Sequence, residues 1–160
     1  MMIAPELLLR LEMQEFQDRY IAAIDEDRLE DWPKFFVEDC LYEIIPHENV
    51  EAGFPIPILR CDCAAMLRDR VISLRHANIY AKPSYRHFIS GLNCRMIEDG
   101  VVEMTSSYVV INTSTDGTSS VYQAGKYHDH VVRTEEGWRF KLKRAIYDTA
   151  RVQTLLAYPI

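Results

Sequence analysis

At 160 residues, 48% hydrophobic and 26% charged, the chain is long enough to bury roughly two-thirds of its unfolded surface around one core. A formal net charge of -6 with no basic block to offset it argues against a nucleic-acid partner. No apolar run approaches the roughly 20 residues of a membrane span, and the N-terminus turns acidic within a few residues, unlike a signal peptide. A cytoplasmic protein is the expectation, with Cys40, Cys61, Cys63 and Cys94 as reduced thiols.

After Pro5, apolar residues at Leu9, Met13, Phe16, Tyr20 and Ile24 recur in steps of four and three, which predicts an amphipathic helix of about five turns. Asp25-Glu26-Asp27 ends it and can cap a second, short helix holding Leu29, Trp32 and Phe36, with Pro33 limiting its length and Asp39 at its end. Cys40–Pro46 reads as a short strand closed by proline. His47–Arg60 reads as a long loop, and a loop of that length points to a binding role. Asp62 is placed to cap a third helix through Met66, Leu67, Val71 and Leu74, followed by a linker over Asn78–Ser84.

From Tyr85 the pattern changes to four long strand-like runs, Tyr85–Glu98, Val101–Asn112, Val121–Arg133 and Trp138–Tyr147. Asp99-Gly100 between the first two is a two-residue hairpin turn, since both residues tolerate positive φ. Helices followed by a strand meander predict an α+β fold, with helices on one face of a curved antiparallel sheet. One domain over 1–160 is expected, with helices and one short strand in 5–76 and the meander in 85–148. Both parities of Val101–Ile111 carry apolar residues, which predicts that the second sheet face is covered too, most simply by another subunit.

In the last strand, alternation puts Trp138, Phe140, Leu142 and Ile146 on the core face and Arg139, Lys141, Lys143 and Tyr147 on the other. Arg144 then has core parity and needs an acid, for which Asp129, Glu103 and Asp148 are in reach. His128 and His130, two apart on a strand, share a face. They can ligate a metal or act as bases; alternatively they lie on a solvated or interface face with Asp129 inward. No third ligand stands at a recognisable spacing, so no metal site is expected. Cys61-x-Cys63 likewise lacks a second ligand pair. His87 can face a cavity or be a hydrogen-bonded core histidine, and Asp39 can reach a pocket mouth. There is no glycine-rich phosphate loop, no G-x-S-x-G, no Rieske Cys-x-His…Cys-x-x-His pattern and no evident two-His-one-carboxylate triad.

Four blocks resemble one family, the small (β) subunits of the multicomponent aromatic-ring-hydroxylating oxygenases. They are Leu29–Pro46, with Trp32, Phe36, Asp39 and Tyr42; Asp62–Val71, with Arg70-Val71; Arg86-His87; and Gly125-Lys-Tyr-His-Asp129 followed by Gly137–Arg144 and Asp148. Tyr127 departs from the family's common arginine, and the chain ends in Ala157-Tyr-Pro-Ile160 rather than the usual asparagine- and phenylalanine-containing tail.

The resemblance implies a cone of curved sheet similar to nuclear transport factor 2. It implies a structural subunit in the catabolism of an aromatic compound, with a monocyclic aromatic acid as the expected substrate class. It also implies an α3β3 assembly in which the α subunit carries the Rieske 2Fe–2S cluster and the mononuclear Fe(II). NAD(P)H electrons would arrive through a reductase, with or without a ferredoxin. No catalytic, cofactor or metal residue is then expected in this chain, and Asp129, Arg144, His128 and His130 become structural or interface residues. The rival reading is a free-standing cone-fold dehydratase or isomerase with His87 or Asp39 as general base and Tyr42 polarising a carbonyl, and a third is a dimerising binding module. The cone discriminates. A roomy apolar cavity favours the enzyme, and a cone filled by Trp32, Phe36, Trp138 and Phe140 favours the scaffold.

Overall fold

A computed structural model describes residues 4–77, 84–149 and 156–160. Helix α1 spans Pro5–Asp25, with Pro5 in its first turn, where a missing N–H costs nothing. It buries Met13, Phe16, Gln17, Tyr20, Ile21, Ala23 and Ile24. A 3-10 turn follows at Trp32–Phe35. The expected second α-helix is therefore reduced to this turn. Pro33 occupies its start, and Phe36 is already extended (φ -117°, ψ 152°). Strand β1 runs Phe36–Pro46, longer than the sequence pattern indicates, so Asp39 lies within a strand rather than at a helix end.

The stretch after Pro46 contains a short helix, α2 (His47–Glu51), and a strand, β2 (Leu59–Cys61), rather than loop alone. Helix α3 (Ala64–His76) buries Ala64, Leu67, Val71 and Leu74. Its N-cap is Cys63 with no side-chain cap bond, so Asp62 does not cap it, and Met66 is exposed. The Asn78–Ser84 linker lies outside the described residues except for Ser84, which opens β3.

The four long strands are β3 (Ser84–Glu98), β4 (Val101–Thr113), β5 (Ser119–Thr134) and β6 (Gly137–Tyr147). They join β1 and β2 in one six-stranded sheet of order β2-β1-β6-β5-β4-β3. Every pairing is antiparallel except β1 with β6, which is parallel. The Asp99-Gly100 turn joins β3 to β4, with Gly100 at φ +72°.

A β-bulge in β6 decides which residues enter the core. His130 pairs with Leu142 but Val131 pairs with Phe140, so Lys141 has no partner on β5. On the other side, Val37–Cys40 of β1 stand opposite Lys141 between the Phe36–Phe140 and Leu41–Leu142 pairs. One extra residue reverses the alternation. Trp138 and Phe140 point inward as expected, but beyond the bulge the buried residues are Lys143, Ala145 and Tyr147. Arg144 therefore stands on the outer face with Leu142 and Ile146, and Lys143 is the cation in the core. That corrects the parity of the last strand.

Candidate functional site

Among the described residues, the inner side of the sheet is packed with aromatic side chains. Trp32 and Phe140 are fully buried, and Phe36 and Trp138 nearly so. Phe140 packs against Phe16, Tyr20 and Phe36 with ring centroids 4.7, 5.1 and 5.3 Å apart. Trp32 meets Tyr42 edge-on at 5.2 Å. The final residues close the remaining space: Tyr158 and Ile160 are buried, and Tyr158 packs on Tyr85 at 5.4 Å. The Ile160 N–H donates to the Tyr42 hydroxyl (2.9 Å), and the Tyr20 hydroxyl donates to the Ile160 carbonyl (3.2 Å). Trp32 Nε1 in turn donates to the Tyr20 oxygen (3.2 Å), and Arg70 Nη2 donates to the carbonyls of Leu156 and Ala157.

One charged pair sits inside this aromatic packing. Lys143 Nζ lies 3.1 Å from Asp129 Oδ2, and both side chains are 0% exposed. The ammonium also stands 3.3 Å from the centroid of the Tyr127 ring and 5.0 Å from those of Tyr20 and Phe140. Burial pushes the Asp129 carboxyl up and the Lys143 ammonium down, while each partner's charge opposes the shift in the other. Asp129 is thus the inward acid of its strand, but its partner is Lys143 and not Arg144.

The residues of the rival reading are not brought together. His87 Nδ1 lies 2.6 Å from Asp25 Oδ1, and its backbone N–H donates to Asp25 Oδ2 (2.9 Å), which pins the end of α1 to β3. The His87 side chain is wholly buried. A cleft of about 300 Å³ runs beside it, walled mainly by the polar groups Asp18, Asp25, Glu26 and Arg86. Asp39 is exposed and pairs with Lys141. Tyr42 is committed to Ile160, and burial raises its hydroxyl well above the ordinary tyrosine value. Another cleft, of about 400 Å³, lies at the rim between Arg19, Arg28, Asp31, Lys34, Glu136 and Arg139, away from all three.

The outer face of the sheet carries the ordered polar array. Arg60 of β2 and Arg144 of β6 both bond Glu43 of β1 at 2.9 Å, and the Glu43 side chain is 5% exposed. Arg144 stands in register with His128 of β5, and His130 with Glu103 of β4, which pairs with Arg95 of β3. Glu103 Oε1 is 3.3 Å from His128 Nε2 and 4.0 Å from His130 Nε2, and Arg95 holds Oε2 at 2.7 Å. The Arg95 hydrogen bond, then that of His128, keeps the Glu103 carboxyl below its ordinary value. A row of polar and charged residues therefore crosses all six strands, with Glu43 held between Arg60 and Arg144 and Glu103 between His128 and Arg95. Sequence spacing missed Glu43 altogether and missed Glu103 as a neighbour of the two histidines, because both contacts are set by strand register. Farther along the same sheet, Phe88 (opposite Val109) is 61% and Val121 (opposite Ile111) 48% exposed.

Residues 5–144 match the family of SnoaL-like domains. The chain is 57% identical over 149 residues to the anthranilate 1,2-dioxygenase small subunit of Burkholderia cepacia, covering 93% of this chain and 92% of that one. It is 28% identical to a β subunit of the terminal oxygenase component of terephthalate 1,2-dioxygenase from Comamonas, over 96% of this chain and all of the other. A solved β subunit of a proposed aromatic-ring-hydroxylating dioxygenase from Novosphingobium aromaticivorans superposes with a TM-score of 0.88 at 41% identity, over 96% of this chain and 98% of that one. The chain belongs to the SnoaL-like family and, within it, to the small subunits of aromatic-ring-hydroxylating dioxygenases.

Proposed function

We propose that this chain is the non-catalytic β subunit of a multicomponent aromatic-ring-hydroxylating oxygenase that acts on a monocyclic aromatic acid. The observation that carries the reading is the closed cone. Among the described residues, Trp32, Phe36, Phe140, Tyr158 and Ile160 are buried against one another on the inner side of the sheet, and His87, Asp39 and Tyr42 each have another partner. The 57% identity to a small subunit acting on anthranilate supports an aromatic acid as substrate.

In this reading an α subunit carries the Rieske cluster and the mononuclear iron, in an α3β3 assembly fed by a reductase and, in some systems, a ferredoxin. The cysteines of this chain do not fit a Rieske cluster. Cys40 and Cys61 are buried, burial raises the Cys40 thiol to about 11, and among the described residues no pair of histidines clusters with them. The chain's own contribution is the outer sheet face, where the paired charges of Arg144 with Glu43 and Arg95 with Glu103 would meet a partner.

The test is co-expression. With an α subunit and a reductase, ring hydroxylation of an anthranilate- or benzoate-type acid is expected, and the two chains should co-purify. The chain alone should give no turnover. Dehydration or isomerisation by the isolated chain, or hydroxylation by iron bound to it alone, would overturn the proposal. Arg144→Ala should loosen the assembly while leaving turnover per assembled complex unchanged. Normal assembly with turnover lost would show that Arg144 has another role.

A further inference from the structure

The outer face of the sheet also brings two imidazoles and a carboxylate together. We propose that Glu103, His128 and His130 form a binding site for a borderline divalent cation of the zinc class on the outer face of the sheet. Two imidazoles and one carboxylate suit such an ion, and the three prospective ligand atoms lie within 4.8 Å of one another. Ligand atoms at zinc–nitrogen and zinc–oxygen distances in a tetrahedral site are about 3.3 Å apart. The His128–Glu103 edge already has that length at 3.3 Å, and the His130–Glu103 edge of 4.0 Å closes by a small side-chain rotation.

The fold supplies the arrangement. His128 and His130 project from one face of β5, their rings 5.5 Å apart and nearly perpendicular, so both can aim a nitrogen at a common point. Register places Glu103 opposite His130. Each of the three side chains is between a quarter and a third exposed, which leaves an approach from solvent and a further coordination position for water or a partner's donor.

The surrounding charges permit a cation. Arg144, in register with His128, is held by Glu43, so its charge is met on the side away from the site. Arg95 engages only Glu103 Oε2, leaving Oε1 for the ion and acting as the outer partner that orients the carboxylate. Neither of the two clefts described above is lined by these residues. A structural or partner-bridging ion fits this position. The inference stands apart from the α-subunit iron.

Titration calorimetry with zinc chloride on the untagged full chain tests the site. One equivalent should bind, and His128→Ala, His130→Ala and Glu103→Gln should each weaken binding at least about tenfold. His47→Ala removes another surface histidine, paired with Glu51, and should leave binding unchanged. Binding should weaken on acidification, because ligation requires unprotonated imidazole. Circular dichroism checks each variant, and His128→Gln replaces the alanine variant if that one unfolds. No zinc uptake at millimolar concentration, or uptake insensitive to His130→Ala, would overturn the site. Neither result bears on whether an α subunit is required for turnover.

Discussion

Removing one member of the Lys143–Asp129 pair is expected to destabilise the fold more than any change in the outer polar row. Both side chains are fully buried, so Lys143→Met strands a carboxylate and Asp129→Asn strands an ammonium. Breaking such a pair from one side costs about 3–5 kcal/mol. With a urea m-value of about 2 kcal/mol/M, the denaturation midpoint should fall by about 2 M. The pH dependence separates the two variants. Burial raises Asp129, so without Lys143 its folded pKa lies above the unfolded value, the folded state holds the extra proton, and Lys143→Met loses stability as pH rises. Burial lowers Lys143, so Asp129→Asn loses stability as pH falls through the lysine's unfolded and then its folded value. Replacing both, as Asp129→Leu with Lys143→Met, should restore stability to near or above the parent. Urea titrations at pH 5, 7 and 9 provide the assay. Single variants costing under about 1 kcal/mol, or both drifting the same way with pH, would refute a buried ion pair in the core.

Two further outcomes follow from packing. Gly125 faces Tyr147 across β5 and β6, and a Cβ there would meet the Ile146 carbonyl oxygen at 2.1 Å. Gly125→Ala should therefore cost about 3 kcal/mol and lower the melting temperature by about 6–12 °C; an unchanged melt would mean the strands can separate freely there. Shortening the chain to residue 155 removes the burial of Tyr158 and Ile160, worth about 3–6 kcal/mol together. It should expose Tyr20, Trp32 and Tyr42 to a hydrophobic dye, and a variant of unaltered stability that binds no dye would show that the tail does not close the cone.

The elements that the sequence revealed were those whose periodicity runs unbroken. Helix α1 and the four long strands follow from steps of three and four, from alternation, and from the Asp99-Gly100 turn. What sequence could not show depends on register. The bulge at Lys141 leaves no compositional mark, because Trp138-Arg139-Phe140-Lys141-Leu142 alternates cleanly through it. Carrying that alternation forward puts Arg144 inside, where the structure places Lys143. The outer row was invisible for the same reason: Arg60, Glu43, Arg144, His128, Glu103 and Arg95 come from six strands and acquire an order only when the sheet forms. At the second helix the local signals conflicted. The acidic cap and apolar spacing favoured helix, and Pro33 with the extended Phe36 cut it to one 3-10 turn.

A closed interior leaves the outer face to carry specificity, and its charges are arranged so that covering them is inexpensive. A buried carboxylate such as Glu43, its side chain 5% exposed, would cost several kcal/mol if left unpaired. Here Arg60 and Arg144 already hold it, and Arg95 already holds Glu103. While the face is open to water the exposed Arg95–Glu103 pair is worth little to stability, whereas Glu43 is already out of water. Once covered the pairs leave few unpaired charges, and they fix the register in which a partner with complementary charge can dock. Arg95 is the exception. Its side chain is 73% exposed at the β3 edge, with hydrogen-bonding capacity left over after Glu103, and this is where an acidic group on a partner would be read.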